Sequence, residues 1–270
     1  MMDNLINTEI NAQRIATVES CFGTSGQPLA MPGRVLVGEG VLTKECRKKP
    51  KPRIFFLFSD ILVYGNIVIS KIRYNSQHII PLEDVTIEVL PDAENMRNRW
   101  MIKTSKKSFV VSAASHTERN EWIGHINECI GQILEKTGRK PPNAHAPAWI
   151  PDTATDICMR CTQTKFTALT RRHHCRQCGF VVCQECSKYK FLLPDIASKP
   201  QRVCLLCYKK LTSKNLSHGD EDRKSFSHQF HSQVPQYDPS SEDESEEEEK
   251  TQGWPSSKDF CGESWYDFHA

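Results

Sequence analysis

Arg171-Arg172-His173-His174-Cys175-Arg176-Gln177-Cys178-Gly179 is a basic run that ends in a Cys-x-x-Cys pair. Three more such pairs surround it: Cys158/Cys161 before, Cys183/Cys186 and Cys204/Cys207 after. A Cys-x-x-Cys sets two thiolates on one tight knuckle, which is half of a tetrahedral zinc site. Eight such cysteines make two complete four-sulfur sites. Spacing leaves open whether consecutive or interleaved pairs share a metal. All-sulfur coordination keeps no position for water, so the sequence predicts two structural Zn2+ ions and no catalytic metal. A zinc-finger site contributes about 10–16 kcal/mol to folding, more than a core of this size usually supplies.

With the thiolates saturating both metals, His173 and His174 are not needed as ligands. Arg171, Arg172 and Arg176 crowd against them and would repel one another without an anion between them. Guanidinium forks match phosphate oxygens, and imidazoles hydrogen-bond hydroxyls or phosphate. Arg202 precedes Cys204 by two residues, so the metal can bring it alongside. Trp149-x-x-Asp152, Arg171 to Arg176 and Arg202-Val203-Cys204 resemble the three signature motifs of the FYVE zinc-finger family. The resemblance implies interleaved zinc sites, Cys158, Cys161, Cys183 and Cys186 for one and Cys175, Cys178, Cys204 and Cys207 for the other. It also implies recognition of phosphatidylinositol 3-phosphate by Trp149, Asp152, Arg171, Arg172, His173, His174, Arg176 and Arg202. The basic residues would hold the phosphates, while Asp152 and His174 would recognise ring hydroxyls. Ala168 and Leu169, at the head of the basic run, would enter the bilayer. Burying a leucine contributes about 1.5–3 kcal/mol.

Upstream of the finger (149–211), residues 138–148 form a Pro-rich linker. Between Gly33 and about Ala114 the pattern is short β-rich runs broken by turns. Strands are expected at 34–45, 53–58, 61–64, 77–82, 85–90, 99–104 and 108–113. Ser115-His116-Thr117-Glu118 is a capping box, and Trp122, Ile126, Ile130 and Ile133 follow at helical spacing up to Gly138. Seven short strands closed by one amphipathic helix describe a small barrel or sandwich over residues 33–137. Gly40-Val41-Leu42-Thr43-Lys44, Lys51-Pro52-Arg53 and the Phe55 to Tyr64 stretch resemble the start of a pleckstrin-homology domain. That resemblance implies a second phosphoinositide contact through Lys44, Lys51, Arg53 and Tyr64, around a loop that carries six basic residues. Phe55, Phe58, Trp100 and Trp122 are read as core.

Residues 1–32 are expected to include a helix, with Leu5, Ile6, Ile10, Ile15 and Val18 on the face that packs against the barrel. Residues 212–270 read as a disordered acidic tail with an aromatic terminus. Its last 33 residues hold eleven acidic and two basic side chains, which leaves residues 1–237 near +11. The acidic run 242–249 is a candidate to fold back on the basic loop, and Ser240, Ser241 and Ser245 are candidate phosphorylation sites. The start is polar, without the apolar core of a signal peptide, and no apolar run approaches the length of a membrane span. The protein is expected to be cytosolic, with its cysteines binding metal and not forming disulfides.

The whole order resembles the phafin family (pleckstrin-homology and FYVE domain-containing family F), and the tail motif Trp254-Pro255-Ser256-Ser257 is more similar to the family's first branch than its second. The expected architecture is α+β multidomain: a pleckstrin-homology barrel capped by its C-terminal helix, a two-zinc FYVE finger and an acidic tail. The family implies a membrane adaptor, peripheral on endosomes and lysosomes with a perinuclear distribution, acting in traffic, autophagy or lysosome-dependent apoptosis. Its expected partner is a phosphoinositide-containing membrane. A RING-like ubiquitin ligase also interleaves two zincs, but it normally places a histidine among the eight ligands. Nucleic-acid binding lacks a stacking platform. No nucleophile-and-base or phosphate-loop motif appears, so neither an enzyme nor a small-molecule substrate is expected.

Overall fold

The computed structural model describes residues 8–93, 96–140, 142 and 145–217. Leu5 and Ile6, and the tail from residue 218 on with its acidic run, serines and aromatics, lie outside the described residues. Residues 212–217, expected in the disordered tail, are helical instead and continue the finger's last helix.

Strand β2 (Lys51–Phe58) shows how the layers arise. Ile54 to Phe58 are all buried, and so continuous an apolar run marks a strand covered on both faces. Phe55 and Leu57 point into an inner core with Leu42, Leu62, Trp100, Ile102 and Val111. Ile54, Phe56 and Phe58 join a second core with Ile15, Val18, Phe22, Leu29 and Val63. The first lies within the barrel; the second lies beneath helix α1 (Glu9–Phe22).

β2 belongs to a sheet that also contains β1 (Leu36–Lys44), β3 (Ile61–Ile69), β4 (Arg73–Pro81), β5 (Thr86–Val89), β6 (Arg99–Lys103) and β7 (Phe109–Ser112). The order is β4-β3-β2-β1-β7-β6-β5, with antiparallel neighbours throughout. Helix α2 (His116–Thr137) adds Trp122, Ile126 and Cys129 to the inner core. Ser115 Oγ accepts the Glu118 N–H (3.1 Å) at its start, and Gly138 ends it in the left-handed region at φ 64°.

All seven expected strands are present, but the β3–β4 hairpin runs past the expected ends at Tyr64 and Gln77. Gly65, just past the expected end, sits mid-strand under α1. A Cβ there would lie 2.6 Å from the Phe22 ring and 2.8 Å from the Asn75 carbonyl oxygen. Ile10 departs from expectation: it is 68% exposed. Asn11 takes the inward place, donating from Nδ2 to the Arg34 carbonyl (2.8 Å) and accepting the Leu36 N–H at Oδ1 (3.0 Å). A buried amide that satisfies the unpaired start of β1 outweighs one more aliphatic contact.

The Pro-rich segment is not a free tether. Ala146 donates its N–H to the Thr104 carbonyl (2.8 Å), and Ser108 Oγ donates to the Ala146 carbonyl. Ser108 and Ala148 form a parallel bridge, and His145 Nε2 meets Thr86 Oγ1 at 3.0 Å. The segment is thus stitched to the β6–β7 turn.

The finger follows directly. β8 (His173–His174) pairs with β9 (Val181–Val182), β10 (Tyr189–Phe191) pairs with β11 (Gln201–Val203), and helix α3 (Leu205–Ser217) closes it. Phe166, Val181, Val182, Leu193 and Val203 pack among the cysteines. Gly179, at φ 74°, lets the preceding segment lie flat on the finger, since a Cβ would sit 2.2 Å from the Ala148 carbonyl oxygen. No described helix is long and apolar enough to cross a membrane.

Candidate metal centres and headgroup site

The eight cysteines gather as two interleaved groups: Cys158, Cys161, Cys183 and Cys186, and Cys175, Cys178, Cys204 and Cys207. Within each group the sulfurs all lie within 4.8 Å of one another. Backbone donors point at them as at thiolates, with Cys183 N–H to Cys158 Sγ at 3.3 Å and Cys204 N–H to Cys175 Sγ at 3.2 Å. Hydrogen bonds from the Thr164 side chain and backbone push the Cys161 thiol down to about 6. A hydrogen bond from Cys175 brings Cys178 down to about 5 against the opposing effect of burial. The same bond pushes Cys175 up, and burial raises Cys186 and Cys207, so the thiols share protons unevenly. Four sulfurs this close together on two tight knuckles still form a donor set that fits a tetrahedral Zn2+. Bound there, zinc would supply cross-links between the knuckles and no chemistry.

Arg160 holds the two groups together. It sits in the knuckle of Cys158 and Cys161, yet Nε donates to Cys204 Sγ (3.1 Å) and Nη2 donates to Cys178 Sγ (3.2 Å) of the other group. Its guanidinium also lies 4.4 Å from the Phe180 ring centroid. Sequence reasoning missed this role. The available signal was a basic residue inside a Cys-x-x-Cys, where a cation offsets thiolate charge.

The residues singled out for lipid divide into a cluster and outliers. Trp149 stacks on His174 (centroids 5.0 Å apart, planes at 12°), and the Arg176 guanidinium lies 3.9 Å from the Trp149 ring centroid. His174 is buried, with Nε2 2.8 Å from the Ile150 carbonyl oxygen and 3.7 Å from Asp152 Oδ1. Burial lowers its pKa, which the Ile150 hydrogen bond and Asp152 partly oppose, so it stays neutral to a lower pH than an exposed imidazole. Asp152 Oδ1 is buried and without a hydrogen-bond partner among the described residues. The Arg176 N–H donates to the Arg202 carbonyl (2.9 Å), which brings β11 beside the basic run.

Arg171 is exposed and His173 half-buried. Arg172 turns toward Asp156 (3.2 Å) and the Phe166 ring (5.0 Å). The Arg202 side chain points inward, donating from Nη1 to the Ser187 carbonyl (2.9 Å) and Gln184 Oε1 (3.0 Å). Leu169 is 96% exposed and Ala168 is exposed beside it. An aliphatic side chain held in water two residues from a run of arginines is an amphipathic edge suited to an anionic bilayer.

On the barrel, Lys51 and Arg53 are half-exposed, whereas Lys44 and Tyr64 are buried. Lys44 Nζ lies 4.9 Å from the Phe109 ring centroid, and Tyr64 stacks between Phe55 (5.2 Å) and His78 (4.5 Å). Tyr64 and Phe109 belong to the inner core and Lys44 is buried against them, so the four residues do not form one exposed surface.

Sequence reasoning also missed Arg47, on the loop between β1 and β2. Its carbonyl accepts the Asp152 N–H (2.8 Å), and its Nε lies 3.5 Å from Asp152 Oδ2. The contact joins the basic loop of the barrel to the Trp149-x-x-Asp152 motif.

Two family models match the chain, one described as PH domain over residues 36–131 and one as FYVE zinc finger over residues 148–213. The chain is similar to human pleckstrin homology domain-containing family F member 1, with 61% identity over 279 residues that span 100% of both proteins. It is 72% identical over 216 residues to the mouse member 1, which covers 80% of this chain and 77% of that protein. Zebrafish (Danio rerio) member 2 is 62% identical over 213 residues, which cover 79% of this chain and 86% of that protein.

Proposed function

The chain belongs to the pleckstrin homology domain-containing family F, and from that premise we propose that it is an adaptor that reads phosphatidylinositol 3-phosphate through its finger. The two lipid-binding domains make it a phosphoinositide-binding adaptor; the choice of the 3-phosphate is the proposal. The supporting observation is the fully exposed Leu169 at the head of the Arg171–Arg176 run, with Trp149, Asp152, His174 and Arg176 clustered behind it. Cations would neutralise the phosphates, Asp152 and His174 would hydrogen-bond ring hydroxyls, and Ala168 and Leu169 would enter the acyl boundary. Two zinc ions, one per cysteine group, would hold this geometry without taking part in binding. Lys51 and Arg53 would add a second phosphoinositide contact on the same membrane, and two linked contacts raise apparent affinity by roughly 10²–10⁴. Endosomal and lysosomal membranes are the surfaces this reading assigns.

Co-sedimentation with vesicles that each carry one phosphoinositide tests it. The parent chain should pellet best with the 3-phosphate lipid, and Arg171→Ala should abolish that preference. Arg53→Ala should only weaken overall binding. Leu169→Asp should lower vesicle affinity by about 10- to 100-fold, as lost burial of one leucine predicts, while leaving affinity for a soluble short-chain headgroup intact. Equal pelleting with all phosphoinositides, or an Arg171→Ala variant that keeps the preference, contradicts the proposal.

A further inference from the structure

Tryptophan 149 to aspartate 152 lies between two loops of the barrel. The β1–β2 loop and the β6–β7 turn share one end of the sheet, as the Lys44↔Val111 pairing and the Glu45 N–H to Val110 carbonyl bond (2.9 Å) require. Residues 146 and 148 are bonded to the β6–β7 turn, and residue 152 is bonded to the β1–β2 loop. Lys107 from that turn places Nζ 5.9 Å from the Trp149 ring centroid. The motif is therefore held from both sides by the neighbouring domain.

The contact at Asp152 is directional. Arg47 approaches Oδ2 with Nε and fixes the main chain through its own carbonyl. Oδ1 is left buried beside His174, without a hydrogen-bond partner among the described residues. An acceptor removed from water without a donor is costly, and such a group marks where a ligand donor is taken. A hydroxyl on the inositol ring supplies that donor. The Asp152 side chain is only 19% exposed, so a rotation that lost the Arg47 contact would move its open oxygen away from His174.

We propose that the barrel completes the headgroup pocket of the finger: Arg47 is a positioning residue that aims Asp152 at the inositol hydroxyls. The proposal rests on the finger being the headgroup reader. It makes the two lipid-binding domains one composite site at this point, and it gives a basic residue of the pleckstrin-homology loop a role in the specificity of the FYVE motif.

The test is calorimetric titration of the full-length chain with water-soluble dibutanoyl phosphatidylinositol 3-phosphate, in an Arg53→Ala background that silences the barrel's own contact. Arg47→Ala should weaken binding by roughly three- to tenfold, the range expected for a partly buried ion pair acting on one ligand bond. Arg47→Lys should recover part of the loss. Asp152→Asn should weaken binding at least as much, and adding Arg47→Ala to it should cost nothing further, because the two act as a unit. Lys49→Ala, on the same loop and exposed, should be neutral. Zinc content and melting temperature should be unchanged in Arg47→Ala.

An unchanged or tighter affinity in Arg47→Ala overturns the proposal, the latter by making the contact a latch that competes with lipid. Additive losses with Asp152→Asn, or a loss equal to that of Lys49→Ala, overturn it by reducing the loop to diffuse charge. The same coupling with inorganic phosphate, which has no ring hydroxyls, also overturns it. A background chain that fails to bind the soluble lipid removes the functional reading together with this one, whereas normal binding with a silent Arg47 removes this one alone.

Discussion

Arg160 is rooted in the knuckle of one metal group and its side chain donates to two sulfurs of the other, so the second group depends on a side chain that the first presents. The cysteines were legible because a tight knuckle demands a fixed spacing. The interleaved partners of Cys158 and Cys175 lie 25 and 29 residues away, so spacing could not select them. Arg160 was illegible for a related reason: its partners, Cys178 and Cys204, are neighbours only after the knuckles assemble. Outer-shell donors of this kind change metal affinity by about 10- to 100-fold. Arg160→Leu is therefore expected to release one of the two zinc ions at a lower chelator concentration than the other, followed by a colorimetric zinc indicator. Release of both ions at the same chelator concentration as from the parent chain would show that the guanidinium only fills space.

At the level of elements, the strands and α2 could be read from periodicity and caps, since each must bury one apolar stripe. The reading failed at α1, where the decisive residue is polar. Asn11 closes the open edge of β1, and Phe22 fills the space that Gly65 leaves, so the helix turns Ile10 outward. Phe22 is 3% exposed, and it packs on Phe56 and Tyr74 with centroids 6.1 and 5.7 Å away. Phe22→Ala should cost about 3–5 kcal/mol in denaturant unfolding of the barrel, from lost burial and the cavity it leaves. Ile10→Ala should change stability by less than about 0.5 kcal/mol. Equal costs for the two would place Ile10 back on the packed face.

For the whole molecule, the modules and their order were written in the motifs, but their docking was not. The segment 145–148 attaches mostly through main-chain groups, with the Ser108 hydroxyl and a His145–Thr86 contact beside them, and Gly179 admits it by lacking a side chain. Backbone hydrogen bonding leaves no residue pattern, so a Pro-rich stretch reads as a spacer even where it is a seam. The seam brings the open end of the barrel to the Trp149-x-x-Asp152 motif and sets the basic loop beside the finger's cluster. The central claim is that the 3-phosphate headgroup is read there. The most direct measurement is a backbone amide NMR titration of the zinc-loaded chain with dibutanoyl phosphatidylinositol 3-phosphate. The account predicts saturable shifts over residues 149–152, 171–176 and 202–204, together with the Arg47 amide. Shifts confined to residues 51–64 of the barrel, or none that saturate, would contradict it.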